Sequence, residues 1–189
     1  MSMTVYYKDI YDLISATIYD ADPAQYSLYE NHDYANVRGF ELELRKNFKN
    51  NIAWYMNYTL SKAEGSAPNE FFHWDVAYLA SVYGWRDYNR TFNMSWDQTH
   101  VINYGIDYQH PKGFGLNLIG NYGSGLPYTP TDARGRPIDD PYSARMPSTS
   151  VVNMRAYYDL SLKSANLRIY ADIDNLLDQT NIYNVFTDT

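Results

Sequence analysis

A chain of 189 residues with a formal net charge of −7 and no cysteine excludes a disulfide framework and a thiolate metal site. It also offers no Lys/Arg cluster to neutralise a run of nucleic-acid phosphates. Tyrosine occurs 21 times, aromatics make up 17% and charged residues 20%, so disorder is excluded as well, because so many large rings demand burial or an interface.

The N-terminus, Met1 to Lys8, lacks the basic start, apolar middle and small-residue cleavage site of a secretory signal. No run of about 18 apolar residues occurs, which excludes a transmembrane helix. Mean hydropathy is −0.53. A transmembrane β-barrel escapes that test, since its strands expose apolar side chains only at alternate positions.

In chain order, a first strand is expected over Met3 to Ile14, where Tyr6-Tyr7-Lys8-Asp9-Ile10 interrupts the alternation, followed by a long connection from about Ser15 to Tyr34. A second strand sets Phe40, Leu42 and Leu44 against Glu41 and Glu43, and a short polar link, Lys46 to Asn51, closes a hairpin. The third carries Ile52, Trp54, Met56, Tyr58 and Leu60 on one face and Ala53, Tyr55, Asn57, Thr59 and Ser61 on the other. A long connection, Glu64 to Gln98, follows. The fourth strand opposes Ile102, Tyr104, Ile106 and Tyr108 to Asn103 and Asp107, and His110 to Gly113 is a short turn.

The fifth strand opposes Phe114, Leu116, Leu118 and Tyr122 to Gly115, Asn117 and Asn121, before a long link from Leu126 to Ser150. The sixth opposes Val152, Met154, Ala156, Tyr158, Leu160 and Leu162 to Asn153, Arg155, Asp159 and Ser161. After a short turn at Lys163 to Ala165, the last opposes Leu167, Ile169, Ala171 and Ile173 to Arg168, Tyr170, Asp172 and Asp174.

Connections therefore alternate between long and short. That segregation predicts an all-β, antiparallel transmembrane β-barrel portion of about seven strands, with short periplasmic turns and long extracellular loops. The lipid-facing set is then Trp54, Met56, Tyr58, Leu60, Ile102, Tyr104, Ile106, Leu116, Leu118, Met154, Tyr158, Leu160, Ile169 and Ile173. The lumen-facing set is Glu41, Glu43, Asn57, Asn103, Asp107, Asn117, Arg155, Asp159, Arg168 and Asp172. Phe48, Tyr108 and Phe114 beside the short turns, with Tyr58, Tyr122 and Tyr6 toward the other ends, form two rings of interfacial aromatics. The rival is a soluble antiparallel β-sandwich or carbohydrate-binding module, in which the apolar face is a shared core. A small complete pore or adhesin barrel is a third architecture, but it calls for an even strand count and a closing aromatic residue.

Five strings carry a resemblance. Asn36 to Leu44 (Asn-Val-Arg-Gly-Phe-Glu-Leu-Glu-Leu) resembles the "v-x-G-x-E-l-e" strand of TonB-dependent receptors, and Asn57 to Ala63 (Asn-Tyr-Thr-Leu-Ser-Lys-Ala) their "nYTyskA" strand. Trp96 to Tyr104 (Trp-Asp-Gln-Thr-His-Val-Ile-Asn-Tyr) is similar to the strand-opening "D-q-r/t-H" motif. Gly123 to Pro130 (Gly-Ser-Gly-Leu-Pro-Tyr-Thr-Pro) is similar to "sG-x-PYTP", and Ala171 to Asp178 (Ala-Asp-Ile-Asp-Asn-Leu-Leu-Asp) to "v-x-NLfD". Each is weak alone, but all five stand in family order over Val37 to Thr189, and the subgroup with an N-terminal carboxypeptidase-regulatory-like module matches best. The resemblance implies a barrel of about twenty-two strands in the cell outer membrane. It implies as partners outer-membrane lipid, a plug, the inner-membrane TonB complex and a scarce nutrient as ligand, with no nucleic acid, no cofactor and no bond chemistry. Residues 1–189 are expected to be one partial barrel, with plug and closing strand outside it.

His32, His73, His100 and His110 lack metal-ligand spacing; His100 is expected to be hydrogen-bonded at a strand mouth beside Asp97. Asp172 and Asp174 share a strand face with Arg168, where charge pairing on a solvated wall is a simpler reading than paired catalytic carboxylates. Gly123-Ser-Gly lacks the G-x-S-x-G context of a nucleophile elbow. The ring-rich run Phe71 to Trp85 is expected to fold over the barrel mouth, the competing reading being ligand capture by Trp74, Tyr78 and Trp85.

Overall fold

The computed structural model describes residues 1–19, 21–72, 91–183 and 185. Ten strands occur among them: β1 (Ser2–Tyr19), β2 (Tyr26–Lys49), β3 (Ile52–Gly65), β4 (Phe92–Asn93), β5 (His100–Gln109), β6 (Phe114–Gly123), β7 (Pro127–Tyr128), β8 (Ala144–Arg145), β9 (Thr149–Ser161) and β10 (Asn166–Ile173). One sheet runs β1-β2-β3-β5-β6-β9-β10, with β4 added to β3, and β7 and β8 form a separate small hairpin. Every neighbour along that path is antiparallel. β1 and β10 end the path unpaired with each other, so the sheet is an open arc of barrel wall.

The three short connections lie at one end. Between Lys49 and Ile52 only Asn50 and Asn51 intervene, at φ of 55° and 68°. Two successive positive φ values match the tight hairpin turn whose twist suits the flanking strands, and asparagine tolerates them best after glycine. At the next turn the Gly113 N–H donates to the His110 carbonyl at 3.0 Å with Gly113 at φ 91°. At the third, the Leu162 N–H donates to the Ala165 carbonyl at 2.8 Å.

The first long connection expected from the sequence is not a loop. β1 continues to Tyr19 and β2 starts at Tyr26, so Ser15 to Tyr19 and Tyr26 to Tyr34 are a tall hairpin. Register shifts between Ile10 and Leu13 and between Leu13 and Ile14, with Asp12 at φ 61°, displace the side-chain phase there. A period-two pattern read along the chain breaks at such bulges although pairing continues.

Register settles which side chains share a face. Trp54 pairs with Lys46 and Ile106, Met56 with Leu44 and Tyr104, and Tyr58 with Leu42 and Ile102. Ile106 continues to Leu118, Leu118 to Met154 and Met154 to Ile173. The opposite face runs Glu43–Asn57–Asn103–Asn121 and Asp107–Asn117–Arg155–Asp172. No second sheet covers the apolar face among the described residues: Trp54, Leu60, Ile106, Tyr158, Ile169 and Ile173 are 37% to 57% exposed. The sandwich architecture, which would bury that face, is not what these strands build.

Four glycines are roofed by a tyrosine of the neighbouring strand. Tyr6 lies on Gly39, Tyr55 on Gly105, Tyr157 on Gly115 and Tyr104 on Gly120, each a direct register pair. A Cβ at any of them would stand within 2.5 Å of the tyrosine ring or hydroxyl. The ring restores the cross-strand contact that a glycine otherwise lacks. Full burial is concentrated at the long-loop end, where Ala35, Val37, Ala63 and Met94 pack with Tyr6, Ile10 and Leu13.

Candidate functional site

At the long-loop end the sequence motifs converge on one another. Asp97, 1% exposed, is their pivot. Its Oδ1 accepts the Ala63 N–H at 2.6 Å, and its Oδ2 is paired with the Arg145 guanidinium. Arg145 also donates to the Asp97 carbonyl at 2.7 Å and the Gly125 carbonyl at 3.3 Å. A buried carboxylate must find donors or a counter-ion, and here it has both. The chain on either side of Asp97 is held the same way. Met94 N–H donates to the Ala63 carbonyl at 3.0 Å, and Ser61 N–H to the Thr99 carbonyl at 3.0 Å.

The next motif joins through Gln98 and His100. Gln98 Nε2 donates to the Ser124 carbonyl at 2.9 Å, lying so close over Gly123 that a Cβ there would stand 2.2 Å from it. His100 N–H donates to Ser124 Oγ at 3.0 Å, and Ser124 N–H returns to the His100 carbonyl at 2.8 Å. His100 Nδ1 is 2.9 Å from the Tyr58 hydroxyl, with the two rings nearly parallel. The histidine is thus tied to a strand mouth near Asp97.

Loops are cross-tied above this knot. Asn69 Nδ2 donates to the Tyr142 hydroxyl at 2.5 Å, Asn93 Nδ2 to the Tyr142 carbonyl at 3.0 Å, and Tyr142 N–H to Thr129 Oγ1 at 3.1 Å. The segment after β10 folds back on β9: Leu176 N–H donates to the Val152 carbonyl at 2.7 Å. Asn181 takes the Ser150 N–H at 2.8 Å and donates to its carbonyl at 3.0 Å. Asn181 thereby stands in for a strand partner.

The polar face is electrostatically matched. Arg155 forms a two-point pair with Asp172 at 2.5 and 2.8 Å, and Arg168 with Asp159 at 2.6 and 2.8 Å. The Arg155 guanidinium lies 5.1 Å from the Tyr170 ring centre and that of Arg168 lies 4.2 Å from Tyr157. Such planar pairing suits Arg and not Lys. Asp172 is committed to Arg155, and Asp159 to Arg168.

Every residue assigned to the lipid side shares the apolar face, and Glu41, Glu43, Asn57, Asn103, Asp107, Asn117, Arg155, Asp159, Arg168 and Asp172 share the polar one. Trp74, Tyr78 and Trp85, with His73, lie outside the described residues. The flanks of that segment are Phe72 and Phe92, whose buried rings meet at 4.9 Å. Among the described residues no three His, Asp or Glu side chains stand close enough to hold a metal. Sequence reasoning missed Arg145, Tyr142 and Asn181; each has at least one partner 31 to 73 residues away, which no local pattern marks.

A one-layer antiparallel wall, apolar on one face and polar on the other, with tight turns at one end and interlocked loops at the other, defines an outer-membrane-type receptor barrel. A family model described as "TonB dependent receptor-like, beta-barrel" matches residues 1–176. The chain belongs to that family, whose members are outer-membrane receptors and transporters. No curated protein and no solved structure matches it.

Proposed function

We propose that this chain is wall from a receptor that carries a scarce nutrient across the outer membrane. The nutrient is of the siderophore, cobalamin, haem or glycan class, and uptake is driven through the inner-membrane TonB complex. The apolar face meets lipid, the polar face meets the lumen and the plug, and the knotted loops at the far end stand outside the cell. The motif set supports the subgroup with a carboxypeptidase-regulatory-like module. For the ring-rich run 71–85 the reading remains a loop that folds over the barrel mouth, with ligand capture by Trp74, Tyr78 and Trp85 as the alternative.

One observation carries the reading. Five successive strand pairings, from β2 to β10, keep Met56, Tyr104, Leu118 and Met154 on one uncovered face and Asn57, Asn103, Asn117, Arg155 and Asp172 on the other. In water such a face would drive aggregation; in hydrocarbon it is the stable arrangement. Height agrees. Eight residue steps separate Ile52 from Leu60, each rising about 2.5 Å along the membrane normal for a strand tilted some 40°. The result, about 20 Å, nearly fills an apolar band about 25 Å tall.

Single cysteines can be introduced without ambiguity because the chain has none. Spin labels at Met56→Cys and Leu118→Cys in vesicle-folded protein are expected to be reached by dissolved oxygen and shielded from a water-soluble nickel reagent. Labels at Asn57→Cys and Asn117→Cys show the reverse. Identical accessibility at both pairs defeats the assignment of faces.

A further inference from the structure

We infer that a repeated motif, Arg-x-Tyr-x-Asp, is the key by which β9 and β10 recognise each other and fix their pairing register, whichever side of the wall meets lipid. β9 carries it as Arg155-Ala-Tyr-Tyr-Asp159 and β10 as Arg168-Ile-Tyr-Ala-Asp172. Read in opposite directions, the two copies are complementary. Arg155 stands opposite Asp172, Tyr157 opposite Tyr170 and Asp159 opposite Arg168.

Every member of both copies is engaged. Each arginine makes a two-point pair with the aspartate of the other strand, at 2.5 and 2.8 Å for Arg155 and at 2.6 and 2.8 Å for Arg168. Each also lies over the other strand's tyrosine, Arg155 at 5.1 Å from the Tyr170 ring centre and Arg168 at 4.2 Å from that of Tyr157. Tyr157 in turn covers Gly115, its partner on β6, which ties the key to the rest of the sheet. β10 needs such a key, since its residues are all exposed and β9 is its one ladder partner among the described residues.

The apolar face cannot set this register. Its rungs are Leu160–Leu167, Tyr158–Ile169, Ala156–Ala171 and Met154–Ile173. Moving β10 by two residues would give Tyr158–Leu167, Ala156–Ile169, Met154–Ala171 and Val152–Ile173, again apolar throughout. An even slip keeps every side chain on its own face. The polar face discriminates. That same slip sets Arg155 against Tyr170 and Asp159 against Asn166; two residues the other way, Arg155 finds only Asp174, while Arg168 meets Ser161 and Asp159 meets Tyr170. Slips of four set Arg155 against Arg168, or Asp159 against Asp172, and like charges directly opposite destabilise a strand pair. One exposed ion pair is worth little. The selectivity comes from two two-point pairs and two ring contacts that coincide in a single register.

The test uses the full chain folded in detergent micelles, with cysteine pairs introduced into a sequence that has none. A short bifunctional thiol reagent bridges Ala156→Cys with Ala171→Cys, direct partners across β9 and β10, in the native register; a four-residue slip parts them by about 13 Å. Leu116→Cys with Ala156→Cys, direct partners across β6 and β9, reports whether the rest of the sheet is folded. Exchanging charges on β10 alone, Arg168→Asp with Asp172→Arg, is expected to lower 156–171 bridging about ten-fold and to leave 116–156 bridging within about two-fold. Adding Arg155→Asp and Asp159→Arg, which makes the two strands complementary again, is expected to restore 156–171 bridging to within about two-fold of the parent pair. Undiminished 156–171 bridging after the β10 exchange, or no recovery after the exchange on both strands, overturns the inference. So does loss of 116–156 bridging in the β10 exchange, which would make the ladder a general support of the sheet and not a register key.

Discussion

Replacing Met56 with arginine tests the membrane placement most directly. Met56 lies four residue steps from Ile52 and four from Leu60, with Leu44 and Tyr104 as its register partners. At about 2.5 Å of height per step it stands roughly 10 Å above the turn end, close to the midplane of an apolar band about 25 Å tall. Arginine on the lipid face costs about 2–4 kcal/mol at the midplane and about 0–1 near the interfaces. Met56→Arg is therefore expected to cost about 3 kcal/mol, Leu60→Arg less than about 1, and Asn57→Arg, on the polar face, close to nothing. The assay is urea unfolding of vesicle-folded protein, read by tryptophan emission, with the three variants compared at constant m value. Equal losses at Met56 and Asn57, or a loss at Leu60 as large as that at Met56, would refute the assignment of face and depth.

Removing the carboxylate of Asp97 strands the Ala63 N–H and the Arg145 guanidinium together. Asp97→Ala is expected to cost about 3 kcal/mol, seen as faster hydrogen exchange at Ala63, and Arg145→Met less, since its side chain is one-third exposed. Gly125→Ala brings a Cβ within 1.5 Å of the Met146 carbonyl oxygen; it should dislodge the β7–β8 hairpin and expose residues 124–148 to protease, whereas Gly135→Ala, with open space around it but φ 76°, should cost only about 1 kcal/mol. Asp132, in the loop between β7 and β8, is held below the usual carboxylate range. The Arg136 N–H at 2.9 Å is the largest cause, followed by the Arg136 guanidinium. A carboxylate lowered on folding contributes order that is complete above its unfolded value near 4 and lost as pH falls through the lower folded value. The amide resonances of residues 134–136 should report that acid transition, and Asp132→Asn should abolish it. Asn51→Val, forced to φ 68°, should loosen the first turn by about 1–2 kcal/mol in the same urea assay, while Asn51→Gly should not.

The strands were legible because a wall one layer thick imposes the period-two code without interference from a second layer. Ile52 to Leu60 and Ile102 to Tyr108 alternate cleanly and pair in register. Legibility failed where the backbone slips phase, at Asp12 and between Asp33 and Asn31, so half of the tall hairpin read as loop. The rim was half legible. Asp97 and His100 stand in a recognisable string, but the cation that completes the knot, Arg145, is 48 residues further on in a segment whose composition says only "loop". The polar wall's charged side chains were visible, whereas their partnering was not: Arg168 shares a strand with Asp172 yet binds Asp159 across the ladder.

The tyrosines laid over Gly39, Gly105 and Gly115 all belong to the polar face. Bending a sheet into a tube shortens the arc on its inner side, so bulky neighbours there collide first. Pairing a bare Cα with a flattened ring relieves that crowding and turns three large side chains into lining instead of obstruction. In the proposed barrel those three rings lie along the lumen side of the wall.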